Sequence, residues 1–260
     1  MVSDFLVDRL PYQQQFLVAG GLFGAASLST REPAEPEVAL KLSGYLGNWD
    51  AAIFASRGYY RAPAPLNNVA VNNVARNDVA RNKVSGTMGE YPRLNTLGAS
   101  LSGPLAGGVL NLETGFYHSV DDPGGDNPVI ENGQLRFLVG YSRQLGKETQ
   151  IGVQAYAEWM QDYNDYKRNL SGVSVPREQL RTVATMRFTQ QYLYQALTLN
   201  LFAYWGAAEN DSYVIPSLRY AFNDYLWAEV GANIFSGSRR GMFGTLADND
   251  NIYLTVRCSF

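Results

Sequence analysis

The 260-residue chain is poor in the residues that build metal sites and disulfide frameworks, with one cysteine and one histidine. This excludes a structural zinc site, an iron–sulfur cluster and a disulfide framework, and the sequence predicts no metal site and no cofactor. Charged residues make up only 17% of the chain and the net charge is −3. We therefore expect no nucleic-acid partner, because the chain lacks a basic field. It also lacks the run of about 18 apolar residues that a membrane-spanning helix requires.

Aromatic residues, in contrast, are plentiful, with 17 Tyr, 12 Phe and 4 Trp. Such a content excludes intrinsic disorder. Together with 25 glycines and 46% hydrophobic residues, it indicates an all-β protein, which we expect to form a single domain over residues 1–260. Composition alone does not decide whether the apolar residues face the interior of a soluble protein or the lipid of a membrane.

Apolar and polar residues alternate with a period of two in segments of about ten residues. In the last segment, Ile252, Leu254 and Val256 alternate with Tyr253 and Thr255. Because successive side chains of a strand point to opposite faces, each such segment predicts a strand with one apolar and one polar face. Eleven segments fit the pattern, at about 38–46, 49–60, 94–102, 109–118, 135–142, 150–159, 180–190, 197–205, 213–222, 226–235 and 251–260.

The connections between these segments alternate between long and short. Transmembrane β-barrels join strands of about ten residues by tight turns at one end and longer loops at the other. The sequence thus predicts an all-β, transmembrane, antiparallel up-and-down β-barrel of about 12 strands, or the C-terminal part of a larger barrel. Residues 61–91, with a five-residue repeat at 67–84, are predicted to form a long external loop. The alternative is a soluble sandwich or lipocalin-like barrel, with its apolar face inward.

Aromatic residues near the ends of several segments are typical of the interfacial girdles of a transmembrane barrel. They are Trp49, Tyr117, Tyr141, Trp159, Trp205, Tyr220 and Phe222.

The last ten residues resemble the C-terminal assembly signal of Gram-negative outer-membrane proteins, in which a terminal Phe follows alternating apolar residues. The matching residues are Ile252, Leu254, Val256, Cys258 and Phe260, with Cys258 standing where an aromatic residue is usual. Residues 37–44, residues 91–95 together with 98–104, and residues 231–260 resemble the C-terminal half of large porin-like proteobacterial barrels of unknown function. The resemblance implies insertion into the bacterial outer membrane, with the lipid bilayer and the outer-membrane assembly machinery as partners. It assigns no substrate.

Strand parity raises the question of a twelfth strand. Bacterial single-chain barrels usually have an even number of strands, and the candidate for one more strand is residues 15–28. The same stretch reads as the apolar core of a signal peptide, because residues 25–27 are small enough for cleavage. However, Asp4 and Asp8 precede it where a signal carries positive charge. A third interpretation is an N-terminally truncated chain whose missing part closes a larger barrel.

If the polar face lines a lumen, its charged side chains are the candidates for setting selectivity, and arginine-rich walls favour anions. The alternative is that arginine and glutamate on neighbouring strands pair and only brace the wall. Parity places ten charged residues on this face: Lys41, Arg136, Arg181, Arg187, Arg219 and Arg257 against Asp50, Glu113, Glu158 and Glu229.

These patterns favour a porin-like pore for small polar or anionic solutes, and not an enzyme. An alternative is a structural barrel that sheaths or scaffolds a partner, as in an electron conduit. A membrane hydrolase is the least favoured function, because the adjacent His118 and Ser119 would point to opposite faces of a strand and could not act as base and nucleophile.

Overall fold

The computed structural model describes residues 33, 35–65, 89–170, 176–238, 241 and 243–259. Within them, eleven antiparallel strands form one up-and-down sheet in which each strand pairs with its neighbours along the chain. This confirms the all-β antiparallel architecture and the eleven predicted strands. They are β1 (Val38–Leu46), β2 (Trp49–Tyr59), β5 (Arg93–Leu105), β6 (Gly108–Ser119), β7 (Gln134–Leu145), β8 (Thr149–Met160), β9 (Leu180–Tyr192), β10 (Leu197–Gly206), β11 (Asp211–Ala221), β12 (Leu226–Gly237) and β13 (Asn251–Cys258). The numbers β3 and β4 belong to two short strands in the connection between β2 and β5.

The two ends of the sheet differ, as the sequence predicts. At the short-turn end, the connections 47–48, 106–107, 146–148, 193–196 and 222–225 have two to four residues. At the long-loop end, the connections are 60–92, 120–133, 161–179, 207–210 and 238–250. The exception is 207–210, which is as short as the turns. The strands β5 and β6 are longer than predicted, because Gly103 and Pro104 continue β5 and the turn lies at 106–107.

Backbone geometry explains one of the tight turns. Gly47 has a φ of +63° in the two-residue turn between β1 and β2. Two-residue hairpin turns require positive φ, which glycine adopts without the steric cost that a Cβ imposes.

The long-loop connections carry small elements of their own. A two-stranded ladder, β3 (Ala64–Pro65) with β4 (Gly89–Glu90), flanks residues 66–88. The short helix α1 (Tyr163–Asn169) lies between β8 and β9, and one 3₁₀ turn (Gly244–Leu246) lies between β12 and β13. Among the described residues, no helix is long and apolar enough to cross a membrane. The repeat at 67–84 and the predicted strand at 15–28 lie outside the described residues.

The edge strands β1 and β13 each have one neighbour in the described structure, so the sheet is not closed there. Both strands run from the long-loop end to the short-turn end, because eleven antiparallel neighbours place the first and the last strand parallel.

The sheet lacks an ordinary hydrophobic core. In the described part of the chain, the buried hydrophobic residues are Tyr60, Ala64, Met160 and Tyr166, all at the long-loop end. Large apolar side chains along the strands remain exposed. A water-soluble domain of this length would bury most of them, so the sheet leaves an apolar surface that needs another covering.

Candidate functional site

Cross-strand register places all ten charged residues predicted for the lumen on one face of the sheet. For example, Lys41 is opposite Phe54, and Arg136 is opposite Glu158, which is in turn opposite Arg181. We call this the polar face. It also carries Asp50, Glu113, Arg187, Arg219, Glu229 and Arg257. That these residues line a lumen stays a prediction.

The opposite face, called the apolar face, carries the large aliphatic residues. Ile252, Leu254, Val256 and Cys258 of the predicted assembly signal share it, and the first three are 62–80% exposed. Phe260 lies outside the described residues. The apolar face also holds most of the predicted girdle, namely Trp49, Tyr141, Trp159, Trp205 and Tyr220. Phe222 lies in a short turn.

The polar face is less exposed than the apolar face at the same level of the sheet. The side chains of Arg136 and Glu158 are 29% and 20% exposed, whereas Phe137 and Trp159, the next residues on the same two strands, are 48% and 50% exposed. The burial pattern of a soluble sheet is inverted here. Polar residues on the sheltered side and apolar residues on the open side are typical of a sheet whose outer solvent is lipid.

Two ion pairs brace part of the polar face. The Nε of Arg136 lies 3.6 Å from Glu158, and the Nε of Arg181 lies 3.5 Å from Glu209 in the β10–β11 connection. Arg136 also donates to Gln134 at 2.5–2.9 Å and stacks 3.9 Å above the ring of Tyr117. For Arg136 and Arg181, the bracing role is therefore supported.

Tyr117 was expected in the interfacial girdle, and it lies on the polar face instead. On β6 the odd-numbered residues lie on the polar face, so the ring of Tyr117 lies there, beneath Arg136. Its position near the end of the strand does not determine which face it occupies.

Arg187 and Arg219 differ from these braced arginines. The guanidinium carbon of Arg219 lies 4.0 Å from the ring centroid of Trp227, and that of Arg187 lies 5.7 Å from the ring centroid of Phe202. Neither has an ion pair among the described residues. Stacking over Trp227 occupies one flat side of the Arg219 guanidinium and leaves its in-plane N–H donors for an oxyanion, whereas Arg187 is at cation–π distance from Phe202 without stacking on it.

The aromatic content of the polar face is concentrated on β10, β11 and β12. The rings of Tyr213 and Phe235 stack with centroids 4.3 Å apart, and Tyr204 lies 5.8 Å from Tyr213. Phe243, from the β12–β13 connection, contacts Tyr204 and Tyr213 at 5.3 and 5.8 Å. The connection thus folds over the polar face at the long-loop end.

Asp211 holds this connection in place. Its Oδ2 accepts hydrogen bonds from the backbone N–H groups of Phe243 at 2.6 Å and Gly244 at 3.3 Å, and the residue is 2% exposed. Beside it, Glu209 has a raised pKa, because burial penalises its charge more than Arg181 stabilises it.

A second buried cluster closes the other side of the long-loop end. The Tyr60 phenol donates to the carbonyl of Asn132 at 3.2 Å, and the Asn132 amide donates to the carbonyl of Gln161 at 3.0 Å. Burial raises the pKa of Tyr60 to about 12, and the fully buried Ser119 lies beside it. Tyr60 follows β2 whereas Asn132 precedes β7, so this bond spans β5 and β6 on the polar face. Such a reach requires the polar face to be concave there.

The acidic loop after β6 forms turns. Asp122 accepts backbone hydrogen bonds from Asp126 and Asn127, each at 3.0 Å. Asp121 binds Arg93, and although burial works against its charge, the hydrogen bonds from Arg93 lower its pKa. No group of three or more potential metal-ligating residues occurs in the described part of the chain.

His118 and Ser119 lie on opposite faces, as the period of two predicts. His118 lies on the apolar face with its ring 6.2 Å from that of Phe116, and Ser119 is buried on the polar face. A cavity of about 640 Å³ crosses β5–β10, and it is lined chiefly by apolar-face residues such as Leu101, Phe137 and Trp205.

Sequence reasoning missed Glu209, Asp211 and Phe243 as contributors to the polar face. Glu209 and Phe243 lie in connections, where a period of two assigns no face. The positions of Phe202 and Trp227 beneath arginines follow from parity combined with cross-strand register, and register is not visible in one sequence.

Comparison with known proteins yields no matching family model and no matching curated protein. The functional interpretation therefore stands on the geometry of the two faces.

Proposed function

We propose that the chain is part of a bacterial outer-membrane β-barrel whose polar face lines a pore for small polar or anionic solutes. The observation that carries the proposal is the inverted distribution of the two faces. On β5–β12 most of the exposed residues lie on the apolar face and the polar face is the more sheltered, although Glu113, Arg187 and Arg219 on it are exposed. The strands are 8–13 residues long, which matches the roughly 9–11 residues that a tilted strand needs to cross a bilayer.

Lipid is the covering that best fits the apolar face. Exposed apolar residues extend along the whole sheet, from Leu40 at 73% exposure on β1 to Leu254 at 71% on β13. A patch that follows every strand exceeds the size found on soluble monomers. Trp49 lies at the short-turn end, whereas Trp159 and Trp205 lie at the long-loop end. Two levels of tryptophan match the girdles at the two bilayer interfaces.

The proposed preference for anions rests on which charged residues of the polar face form ion pairs and which do not. The pairs Arg136–Glu158 and Arg181–Glu209 neutralise each other. Arg187 and Arg219 carry charge without a carboxylate partner in the described structure. Lys41 and Arg257 on the same face also form no ion pair among the described residues. Rings of charged side chains set the selectivity of pores, so these unpaired cations, and Arg187 and Arg219 in the middle of the sheet above all, are the groups that we expect to attract anions.

Conductance in a planar bilayer tests the pore. We expect the folded chain to give ohmic steps with a preference for chloride over potassium, because the unpaired guanidinium groups raise the local anion concentration. Folding is verified beforehand by heat-modifiable gel mobility. A folded barrel without conductance would contradict the pore and favour the structural barrel that encloses or docks a partner.

Strand direction limits the ways in which the proposed barrel can close. Because β1 and β13 are parallel, direct pairing of the two would form a parallel seam, whereas an antiparallel seam needs an odd number of additional strands. We propose that residues 15–28, which lie outside the described residues, supply one such strand. It would satisfy the free backbone groups of both edges, and unsatisfied groups are costly in lipid.

Crosslinking to Cys258, the single cysteine of the chain, tests this closure. Neighbouring strands lie about 4.8 Å apart and next neighbours about twice that, and a disulfide requires Cα atoms within about 7 Å. We therefore expect oxidation to join Cys258 to a cysteine placed at alternate positions of 15–28. Cysteines at Leu40, Leu42, Gly44 or Leu46 of β1 should not react. A disulfide to β1, or none to any position of 15–28, would contradict the proposed strand.

A further inference from the structure

The two carboxylate oxygens of Asp211 differ in how they are bonded. Its Oδ2 accepts the backbone hydrogen bonds from Phe243 and Gly244 that hold the β12–β13 connection over the polar face. Its Oδ1 has no hydrogen-bond partner among the described residues, although the residue is almost completely buried. A buried acceptor without a donor is costly, so a donor beside Oδ1 would stabilise this arrangement.

Glu209 is a side chain that reaches the surroundings of this oxygen. A Cβ on Gly206 would collide with Oδ1 of Asp211 and would lie 3.4 Å from Oε2 of Glu209. Both oxygens therefore share the space above the Gly206 backbone, which is open to them because glycine has no side chain. The other oxygen of Glu209, Oε1, lies 3.5 Å from the Nε of Arg181. The two oxygens of Glu209 thus face different partners, Arg181 and Asp211.

A proton on Glu209 turns its contact with Asp211 from repulsion into a bond. Ionised carboxylates only accept hydrogen bonds, so two of them side by side repel, whereas a protonated carboxyl donates to its neighbour. Burial raises the pKa of Glu209 most strongly, the charges of Asp211 and Glu178 raise it further, and Arg181 acts against them. These three charged groups lie on β11, in the β8–β9 connection and on β9. Glu209 is therefore the carboxyl that takes up a proton from water at the long-loop end.

The segment that this contact would fasten is residues 243–250, which we call the strap. At its far end, the Oδ1 of Asp250 accepts the backbone N–H of Phe235 at 2.7 Å. At its near end, Asp211 accepts the two backbone hydrogen bonds, and the Phe243 ring lies against tyrosines of the polar face. Release from Asp211 would therefore uncover the polar face beneath Phe243, while Asp250 keeps the far end in place.

We propose that a proton shared between Glu209 and Asp211 fastens the strap over the polar face in acid, and that loss of this proton releases its Phe243 end. The consequence for transport rests on the proposed function, because a fastened strap narrows the pore at the long-loop end. The movement of the strap itself does not rest on it.

The direction of the pH dependence follows from where the proton is held more tightly. The fastened strap keeps Glu209 in a place where its pKa is raised, whereas a glutamate released into water has a pKa of about 4.3. The fastened state therefore binds the proton more tightly, and acid stabilises it. This stabilisation is complete below the ordinary pKa and is lost as the pH rises through the raised pKa.

Emission from a tryptophan in the strap tests the movement directly. The four native tryptophans are replaced by Phe, and Phe243→Trp places a single reporter at the end that is released. We expect acrylamide to quench its emission about twofold less at about pH 4 than at about pH 8, values on either side of the glutamate range. In planar bilayers, without the reporter substitutions, we expect the conductance to be severalfold smaller at the lower pH.

Glu209→Gln removes the titration and keeps a donor. Its amide N–H donates to Oδ1 of Asp211 at every pH, and its oxygen stays beside Arg181. We therefore expect weak quenching and low conductance at both pH values. Glu178→Gln is the matched control, because it neutralises an exposed carboxylate at the same end of the sheet and gives Asp211 no donor. In this control the strap should still be released as the pH rises.

Asp211→Ala removes the attachment itself, so we expect strong quenching at both pH values. Heat-modifiable mobility verifies the folding of each variant. Glu209→Gln, which keeps every bond of Asp211, tests the proposal even where Asp211→Ala does not fold.

The outcomes distinguish the strap from the pore. Quenching that does not change with pH, or that changes equally in the native chain and in Glu209→Gln, overturns the shared proton and leaves the pore. Shielding of the reporter by Ca²⁺ at the higher pH also overturns the shared proton, in favour of a cation between the two carboxylates. A strap that responds to pH in a folded barrel without conductance contradicts the pore and leaves the strap.

Discussion

Replacing Arg187 and Arg219 together by Glu should convert the pore from anion-selective to cation-selective. Among the ten charged residues predicted for the lumen, the substitutions change six basic and four acidic groups to four basic and six acidic ones, and Asp211, which register also places on the polar face, is a further acidic group there. The change is made at two of the four polar-face cations that have no carboxylate partner in the described structure, the other two being Lys41 and Arg257. We expect the reversal potential under a tenfold KCl gradient to change sign, because selectivity follows the sign of the fixed charge along the pathway.

A matched control places the same change of charge elsewhere. Arg143 lies on the apolar face near the short-turn end, and Lys147 lies in the adjacent turn. The double variant Arg143→Glu, Lys147→Glu should keep the anion preference. Measurement at 1 M salt strengthens the comparison. At this ionic strength the Debye length is about 3 Å, so the salt screens charges that lie outside the pathway. An unchanged reversal potential in the Arg187, Arg219 variant, with normal folding, would count against these arginines as selecting groups.

A single arginine at the middle of the apolar face should severely impair insertion into lipid. Val153 lies near the centre of β8 and is 45% exposed. Arginine facing the bilayer midplane of a barrel costs about 2–4 kcal/mol. At about 1.4 kcal/mol per factor of ten, the folded-to-unfolded ratio of Val153→Arg should fall roughly 30- to 1,000-fold. Denaturant titration of folding into vesicles, followed by heat-modifiable gel mobility, measures this loss.

The next residue in the chain provides the control. Gln154 lies on the polar face of the same strand, and its loss removes one long hydrogen bond, 3.4 Å from the Thr185 hydroxyl. Gln154→Arg should therefore change the folding free energy by less than about 1 kcal/mol, as expected for a lumen substitution. Equal costs for the two variants would mean that the faces are not divided between lipid and water, and would favour a soluble sheet whose apolar face is covered by protein.

Much of the architecture could be read from the sequence because strand periodicity is local. Ile252 and Leu254 share a face for a reason that involves only their own backbone, and the same holds for the other strands. Short turns were equally visible, since Gly47 marks a position that requires positive φ. The end of β5 was misjudged because glycine and proline at 103 and 104 are typical of turns, and here the ladder with β6 extends through both.

The contacts of individual side chains are harder to predict from the sequence. The ten charged residues of the polar face follow from parity alone. Their division into braced and unpaired groups does not, because it depends on which residue of the next strand lies opposite. Arg136 meets Glu158, whereas Arg219 is opposite Glu229 yet stacks on Trp227.

The amino-acid order thus specifies the strands, their two faces and the alternation of turns and loops, since each arises from neighbours in the chain and from the period of two. The three-dimensional arrangement adds the register, the concave curvature of the polar face and the folding of Phe243 and Asn132 over it. These features join residues that are distant in the chain. Cross-strand hydrogen bonding and side-chain packing select them together, and no local pattern records that choice.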